Sequence, residues 1–325
     1  MFMKKKTWFL SKDGKTRIHT LYYIPAGETK GQVPVPVDPK GIVQICHGMI
    51  EHMGRYDEFA RFLVSQGYIV AGHDHLGHGD SVRSEEERGY FCKNPSQTLV
   101  KDMHQLRRIM QKKYPGLPYF ILGHSMGSFL LRQYLTVYGE GLSGAIMMGT
   151  GYVMPLKTEM GLQLIKFLAL FKGWHHRSTL VRNMTYGKSY NGFDIDGSNP
   201  EMSWVTQNTE YFVAASADPK CNFYFTLNGY LGLLEAVSYS CRKSNIQMIP
   251  KDVPLLIISG DQDPVGDLGR AVVRFKRLCR EADISDLTMK LYRGDRHDIL
   301  HEPDREQVYQ DILEWIENRG KTENR

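Results

Sequence analysis

Gly123-His124-Ser125-Met126-Gly127 lies between two segments of different periodicity. Before it, Tyr119-Phe120-Ile121-Leu122 has the length and composition of a buried strand. After it, Met126, Phe129, Leu130, Gln133, Tyr134, Val137 and Tyr138 recur at helical spacing, and Gly139 offers a stop. Strand, five-residue turn and helix form the context in which G-x-S-x-G presents its serine as a nucleophile. A serine on so sharp a turn occupies strained backbone and needs small neighbours. Gly123 and Gly127, with Ser128 beyond, remove the Cβ bulk where strand and helix cross. The N–H groups opening the helix point toward Ser125, which suits a developing oxyanion. The competing reading, a glycine-flanked turn with a chance serine, is weakened by the strand and helix on either side.

Outward from this stretch, strands and helices alternate. Residues 7–11 and 16–23 form a hairpin around Lys12-Asp13-Gly14-Lys15, since Asp-Gly favours a tight turn. Val33-Pro34-Val35-Pro36-Val37-Asp38-Pro39 reads as a proline-rich surface connection and not as a strand. A buried strand over 41–46 ends in His47-Gly48-Met49-Ile50-Glu51-His52. A helix over 56–66 closes at Gly67, and a strand over 68–73 runs into His73-Asp74-His75-Leu76-Gly77-His78-Gly79-Asp80-Ser81. A helix over 96–113 precedes the serine strand, and 144–149 is the next strand. Near the end, 254–260 and 287–292 are strands separated by a helix over 268–283, and a helix over 304–318 follows. This alternation predicts an α/β fold with a mostly parallel sheet covered on both sides. Residues 152–250, rich in aromatics, Asn, Ser and Gly, break the rhythm. They are read as an inserted cap over the strand ends, between core segments 1–151 and 251–325.

A serine hydroxyl attacks well only when a base takes its proton and a third group orients that base. In a fold with this turn the chain order is serine, acid, histidine. Ser259-Gly260-Asp261-Gln262-Asp263-Pro264-Val265 follows one late strand and Gly294-Asp295-Arg296-His297-Asp298 follows the next, which brings both to the sheet edge that carries Ser125. Asp263 is favoured over Asp261, which falls only two residues past its strand. His297 is favoured over His301 because it lies nearer the strand end. Adjacent side chains on the turn diverge, so His124 is read as structural. The oxyanion hole needs two backbone donors, and Met126 and Met49 occupy the corresponding positions.

The 325-residue chain is 42% hydrophobic and 24% charged, as ordinary globular proteins are. A formal charge of +5 and a pI near 8.8 are too mild and too scattered for nucleic acid. The one basic run, Lys4-Lys5-Lys6, is short and lacks the apolar stretch of a signal peptide after it. Five cysteines without C-x-x-C spacing point to reduced thiols and a cytoplasmic setting, in which the Asn183-Met184-Thr185 sequon has no use. Met160 to Phe171 is too short and too interrupted to span a bilayer. With Trp174 it reads either as cap core or as a greasy face for acyl chains or a lipid surface, helped by Lys157, Lys166, Lys172 and Arg177. His73, Asp74, His75 and His78 invite a metal reading, but the distant further ligands such a site needs are not evident; the glycines favour a tight loop bracing the site. Asp261 and Asp263 supply too few oxygens for calcium.

Taken together, His47-Gly48-x-x-Glu51-His52, Asp74-His75-x-Gly77-His78-Gly79-x-Ser81 and Gly123-His124-Ser125-Met126-Gly127, with Ser259-Gly260-x-x-Asp263 and His297, resemble the monoacylglycerol lipase/lysophospholipase branch of the α/β-hydrolase superfamily. The likeness covers residues 40–150 and 250–318. It implies an α/β-hydrolase fold with a cap and a cofactor-free serine hydrolase of carboxylic esters. Ser125, Asp263 and His297 would then be the triad, with Met49 and Met126 as oxyanion donors. The small-molecule acyl ester, lipid or otherwise, stays open, because the cap carries no matching motif. Acyl transfer and aminopeptidase action use the same triad; the latter needs a cap carboxylate, for which Glu159, Glu201, Glu210 and Glu235 are candidates. A noncatalytic binding module is disfavoured because every triad position is filled.

Overall fold

Short apolar runs become strands buried on both faces, and the longer amphipathic stretches become the helices that bury them. A computed structural model describes residues 1–30, 33–36, 38–187, 190, 192–193 and 202–320. The strands are β1 (Phe2–Leu10), β2 (Arg17–Lys30), β3 (Val33–Pro36), β4 (Gly41–Cys46), β5 (Tyr68–His73), β6 (Tyr119–His124), β7 (Gly144–Met148), β8 (Leu255–Gly260) and β9 (Leu287–Tyr292). The helices are α1 (Asp57–Ser65), α2 (Pro95–Lys113), α3 (Met126–Tyr138), α4 (Pro155–Lys172), α5 (Thr179–Thr185), α6 (Thr209–Ala217), α7 (Leu227–Cys241), α8 (Lys243–Ile246), α9 (Arg270–Glu281) and α10 (Arg305–Glu317).

The sheet runs β1-β2-β5-β4-β6-β7-β8-β9. From β5 to β9 every neighbouring pair is parallel, while β2 is antiparallel to both β1 and β5. Successive residues of a strand face opposite ways. Ile42, Ile69, Ile121, Ala145 and Leu255 therefore meet α2, α3, α7 and α9 through Met103, Leu130, Tyr230 and Phe275. Val43, Val70, Phe120, Ile146 and Leu256 meet α1 and α10 on the other face through Phe59, Leu63, Ile312 and Trp315. Gln44 is tolerated in this apolar interior because its amide donates to the Met103 carbonyl (3.0 Å) and accepts from the Tyr119 hydroxyl (2.6 Å).

Residues 33–36 correct the expectation of an irregular connection. They form a strand, antiparallel to the tail of β2, with Ala26 opposite Pro36 and Thr29 opposite Pro34. β3 pairs with β2 alone and stands off the main path, where a residue lacking an N–H costs no ladder bond on a second side. Between β7 and β8 the described residues carry helices only. Of these, α7 packs on α3, α2 and α4.

Candidate active site

The turn from β6 into α3 holds Ser125 at φ 51°, ψ −118°, a conformation L-residues rarely adopt. The close approach that requires the flanking glycines is explicit. A Cβ at Gly123 would lie 2.4 Å from the Gly127 carbonyl oxygen, and one at Gly127 would lie 2.1 Å from that of Cys46. The Ser125 N–H donates to the Met148 carbonyl at 3.0 Å, so the turn is tied to β7. Met126 opens α3 immediately after the serine, as expected.

The loop after β4 reaches the same point. A Cβ built on Gly48 would stand 3.0 Å from the Ser125 Cβ, which places Met49 beside the serine. Ile50 next to it sits at φ 57°, unusual for a β-branched residue, so this loop is held rather than relaxed. Glu51 holds it: its Oε1 accepts from the Gly48 N–H, from the Tyr56 hydroxyl (2.8 Å) and from His124 Nδ1 (3.1 Å).

Asp263 and His297 meet at the carboxyl ends of β8 and β9. His297 Nδ1 lies 3.0 Å from Asp263 Oδ2. That oxygen also accepts from the Ser259 hydroxyl (3.0 Å), and Asp263 Oδ1 accepts from the Val265 N–H (2.8 Å). Asp263 is fully buried and His297 is 3% exposed, so the pair is shielded from solvent. The His297 ring packs 4.9 Å from that of His124, the residue preceding Ser125. Asp261 instead accepts from the Gly294 N–H at the surface, and His301 pairs with Asp298 at 2.9 Å.

A buried charge network backs this arrangement. Arg55 donates to Tyr211 (2.7 Å) and Asp298 (3.1 Å) and pairs with Glu51 (3.2 Å). Burial opposes the charge of Glu51, yet His124 and Arg55 hold its carboxyl well below the usual range. Burial likewise opposes a charge on His124, and the Glu51 carboxylate outweighs it, raising that imidazole. His124, read as structural from the sequence, thus ties Glu51 to the ring of His297.

The loop after β5 braces the edge. Asp74 accepts from the Met53 and Asp80 N–H groups, both at 2.8 Å, and faces His19 Nδ1 at 2.8 Å. Gly79, at φ 49°, leaves room for that carboxylate, since a Cβ there would lie 2.2 Å from Asp74 Oδ2. Gly77, at φ 79°, lets the chain pass the Tyr90 carbonyl, which a Cβ would approach to 2.5 Å. His47 donates from Nδ1 to the Gly48 carbonyl (2.8 Å) and accepts at Nε2 from the His75 N–H (2.8 Å). Burial pushes His47 and His73 well down, His75 down to about 4 and His78 down to about 3. These imidazoles are neutral packing groups; His78 lies against Phe91, Phe223 and Phe225.

Among the described residues, two other side-chain clusters have metal-like composition. His52, Asp218 and Cys221 bring three ligand atoms within 4.8 Å of one another. His52 Nδ1 accepts from the Gly54 N–H (3.1 Å), which leaves the proton on Nε2 facing Asp218 (2.9 Å). A metal at Nε2 would have to displace that proton and set two donors against each other at Nδ1. His19, Asp74 and Asp80 form the second cluster, where the Lys220 ammonium already pairs with Asp80 at 2.5 Å.

The sequence and the fold have counterparts among known proteins. The family described as serine aminopeptidase, S33 (Hydrolase_4) matches residues 37–304. Human monoglyceride lipase is 29% identical over 289 residues, covering 87% of this chain and 84% of that protein. The monoacylglycerol lipase of Mycolicibacterium smegmatis is 26% identical over 279 residues, covering 86% and 89%. Among solved structures, a thermostable carboxyl esterase from Bacillus coagulans, determined with glycerol, superposes with a TM-score of 0.88 at 28% identity, covering 98% and 100%. A soluble variant of Saccharomyces cerevisiae monoglyceride lipase, with a substrate analogue, gives 0.75 at 20% identity, covering 98% and 96%, a likeness of fold.

Proposed function

The chain belongs to the Hydrolase_4 family of α/β-hydrolases and is an ester-hydrolysing enzyme, and from that premise we propose a serine mechanism acting on acyl esters of moderate hydrophobicity, monoacylglycerols foremost. The observation that carries it is the buried, hydrogen-bonded Asp263–His297 pair, whose imidazole packs on His124, the chain neighbour of the strained Ser125. Ser125 Oγ attacks the ester carbonyl carbon while His297 Nε2 takes its proton. The proton passes to the departing alkoxide, and a water activated by the same imidazole releases the acid from the serine. Asp263 keeps the proton of His297 on Nδ1, so that Nε2 is the basic atom. The Met49 and Met126 N–H groups receive the oxyanion; losing one such donor costs on the order of a hundred- to a thousand-fold in rate. This chemistry uses protein groups and water and calls for no cofactor.

The monoacylglycerol preference draws on the relatives and on the segment between β7 and β8, which we read as a cap. Its α4 buries Leu162, Ile165 and Ala169, while Leu156, Met160, Phe167, Leu170 and Phe171 stay exposed. Both expectations for this helix thus have a part: one face packs, and the other offers lipid a transient contact beside Lys157, Lys166 and Lys172. Among the described residues no helix is long and apolar enough to cross a membrane. Among the described residues the peptidase reading gains no carboxylate. Glu235 accepts from Ser96 (3.1 Å), Glu159 lies with Gln163 and Arg242, Glu210 sits in the first turn of α6, and Glu201 falls outside the described residues.

The test is turnover of p-nitrophenyl esters from acetyl to palmitoyl, with monoacylglycerol and lysophosphatidylcholine, for the protein and for Ser125→Ala. A maximum at medium or long chains that vanishes in the variant is expected, together with fluorophosphonate labelling of Ser125. Labelling without ester turnover would shift the reading to acyl transfer or peptides; no labelling would leave a binding module.

A further inference from the structure

Trp204 packs against His297, and two hydrogen bonds join the segments that carry them. Ser203, just before the indole, accepts at its carbonyl from Arg296 Nη1 (2.5 Å), and Arg296 just precedes His297. Val205, just after it, accepts from the N–H of Asp298, which just follows His297 (2.8 Å). One main-chain bond and one from the Arg296 guanidinium link the two tripeptides, and their central side chains meet. The indole and imidazole centroids are 5.0 Å apart at an interplanar angle of 44°. Trp204 is itself buried, 7% exposed, with Tyr190 edge-on to it at 4.9 Å and 89°.

His297 therefore touches two rings, Trp204 at 5.0 Å and His124 at 4.9 Å. The remaining charged neighbours are accounted for. Asp263 occupies Nδ1, Arg296 turns to the Ser203 and Phe193 carbonyls, and Asp298 is taken up by His301 and Arg55. In the reaction His297 becomes an imidazolium. Beside His124 it meets an imidazole already engaged at Nδ1 by the Glu51 carboxylate. On the Trp204 side it meets an aromatic ring within cation–π range.

We propose that Trp204 is a positioning residue for the base: it fixes the plane of the His297 ring and stabilises the imidazolium formed as Ser125 gives up its proton. The proposal rests on His297 being the base. It also makes the segment between β7 and β8 part of the catalytic apparatus and not only a cover, since Trp204 comes from that segment.

The test is the pH profile of kcat/KM on a soluble p-nitrophenyl ester for the protein, Trp204→Leu, Trp204→Phe and His297→Ala. Leucine keeps apolar bulk but removes the ring face. The acid limb of the Trp204→Leu profile is expected to move down by about half to one pH unit, with kcat lower by about three- to ten-fold and KM changed less than two-fold. Trp204→Phe, which restores a ring, should hold the limb within about 0.2 units, and it serves as the folded comparison should the leucine variant melt early. A leucine profile superimposable on the parent's, or a phenylalanine profile shifted as far as the leucine one, would overturn the proposal. His297→Ala separates the two layers. Full activity in that variant removes the base assignment itself, whereas an inactive His297→Ala with an unshifted Trp204→Leu removes only the role of Trp204.

Discussion

Gly127 carries no chemistry, yet the site depends on it. A methyl group there would lie 2.1 Å from the Cys46 carbonyl oxygen and 2.7 Å from that of His47, both main-chain atoms that cannot rotate away. Gly127→Ala should therefore cost about 3 kcal/mol or more, or prevent soluble expression. Gly187→Ala, where a Cβ meets nothing within 4 Å, should melt with the parent. Thermal unfolding of the two variants checks this. Such glycines are legible from sequence because the turn's geometry fixes their spacing locally. Asp263 and His297 are legible too, since each follows a strand whose end is set by its own apolar run. Trp204 was not legible, because its position comes from hydrogen bonds to residues 296–298, and nothing in the local pattern of 202–206 announces them. The partners of His124 were not legible for a related reason. Its ring lies against His297 and its Nδ1 meets Glu51, far away in the chain.

Among the elements, the end of β5 and the loop after it, with His47 from the loop after β4 packed against them, have the clearest pH signature. His47, His73, His75 and His78 are wholly buried and held neutral, with His75 at about 4 and His78 at about 3 against an ordinary 6.5. Below pH 6.5 the unfolded chain takes up protons at these positions and the folded chain does not. Stability should then fall with acid between pH 6.5 and 4, at a limit of about 1.4 kcal/mol per pH unit for each such histidine. Urea unfolding at pH 7.5, 6.0 and 5.0 measures the slope, and His78→Phe, set among Phe91, Phe223 and Phe225, should reduce it. A flat midpoint across that range would mean that the buried imidazoles take up their protons without unfolding. The parallel strands and their helices were legible because periodicity and length agree there. β3 was not: its prolines argue against a ladder, but as an outlying strand it needs pairing on one side only.

For the whole molecule, the covered sheet and the uncovered α4 pull in different directions. Leu156, Met160, Phe167, Leu170, Phe171 and Trp174 remain 39–81% exposed, with Leu180 and Met184 of α5 close in sequence. That much apolar surface on one face is expected to bind lipid. Cosedimentation with anionic vesicles should fall at least five-fold in a Leu170→Ser, Phe171→Ser double variant, while turnover of p-nitrophenyl butyrate in solution stays within two-fold. Equal vesicle binding by both proteins would assign the face to packing against protein. The alternation of strands and helices was enough to order the core. The segment between β7 and β8 was not legible in the same way, because its helices follow no sheet and take their places from contacts with α2, α3 and the site loops. One feature at the far end of the sheet has a different kind of consequence. β1 is the outermost strand on its side, its outer edge left without a neighbour, and Lys4, Lys5 and Lys6 fall in its middle. A run that says nothing about nucleic acid acts here as a guard: Lys4 is paired with Asp57, and two copies approaching edge to edge would still bring the ammonium groups of Lys5 and Lys6 together. The sequence thus spends its only basic run on colloidal behaviour, keeping an open sheet from growing into its neighbour in a concentrated solution.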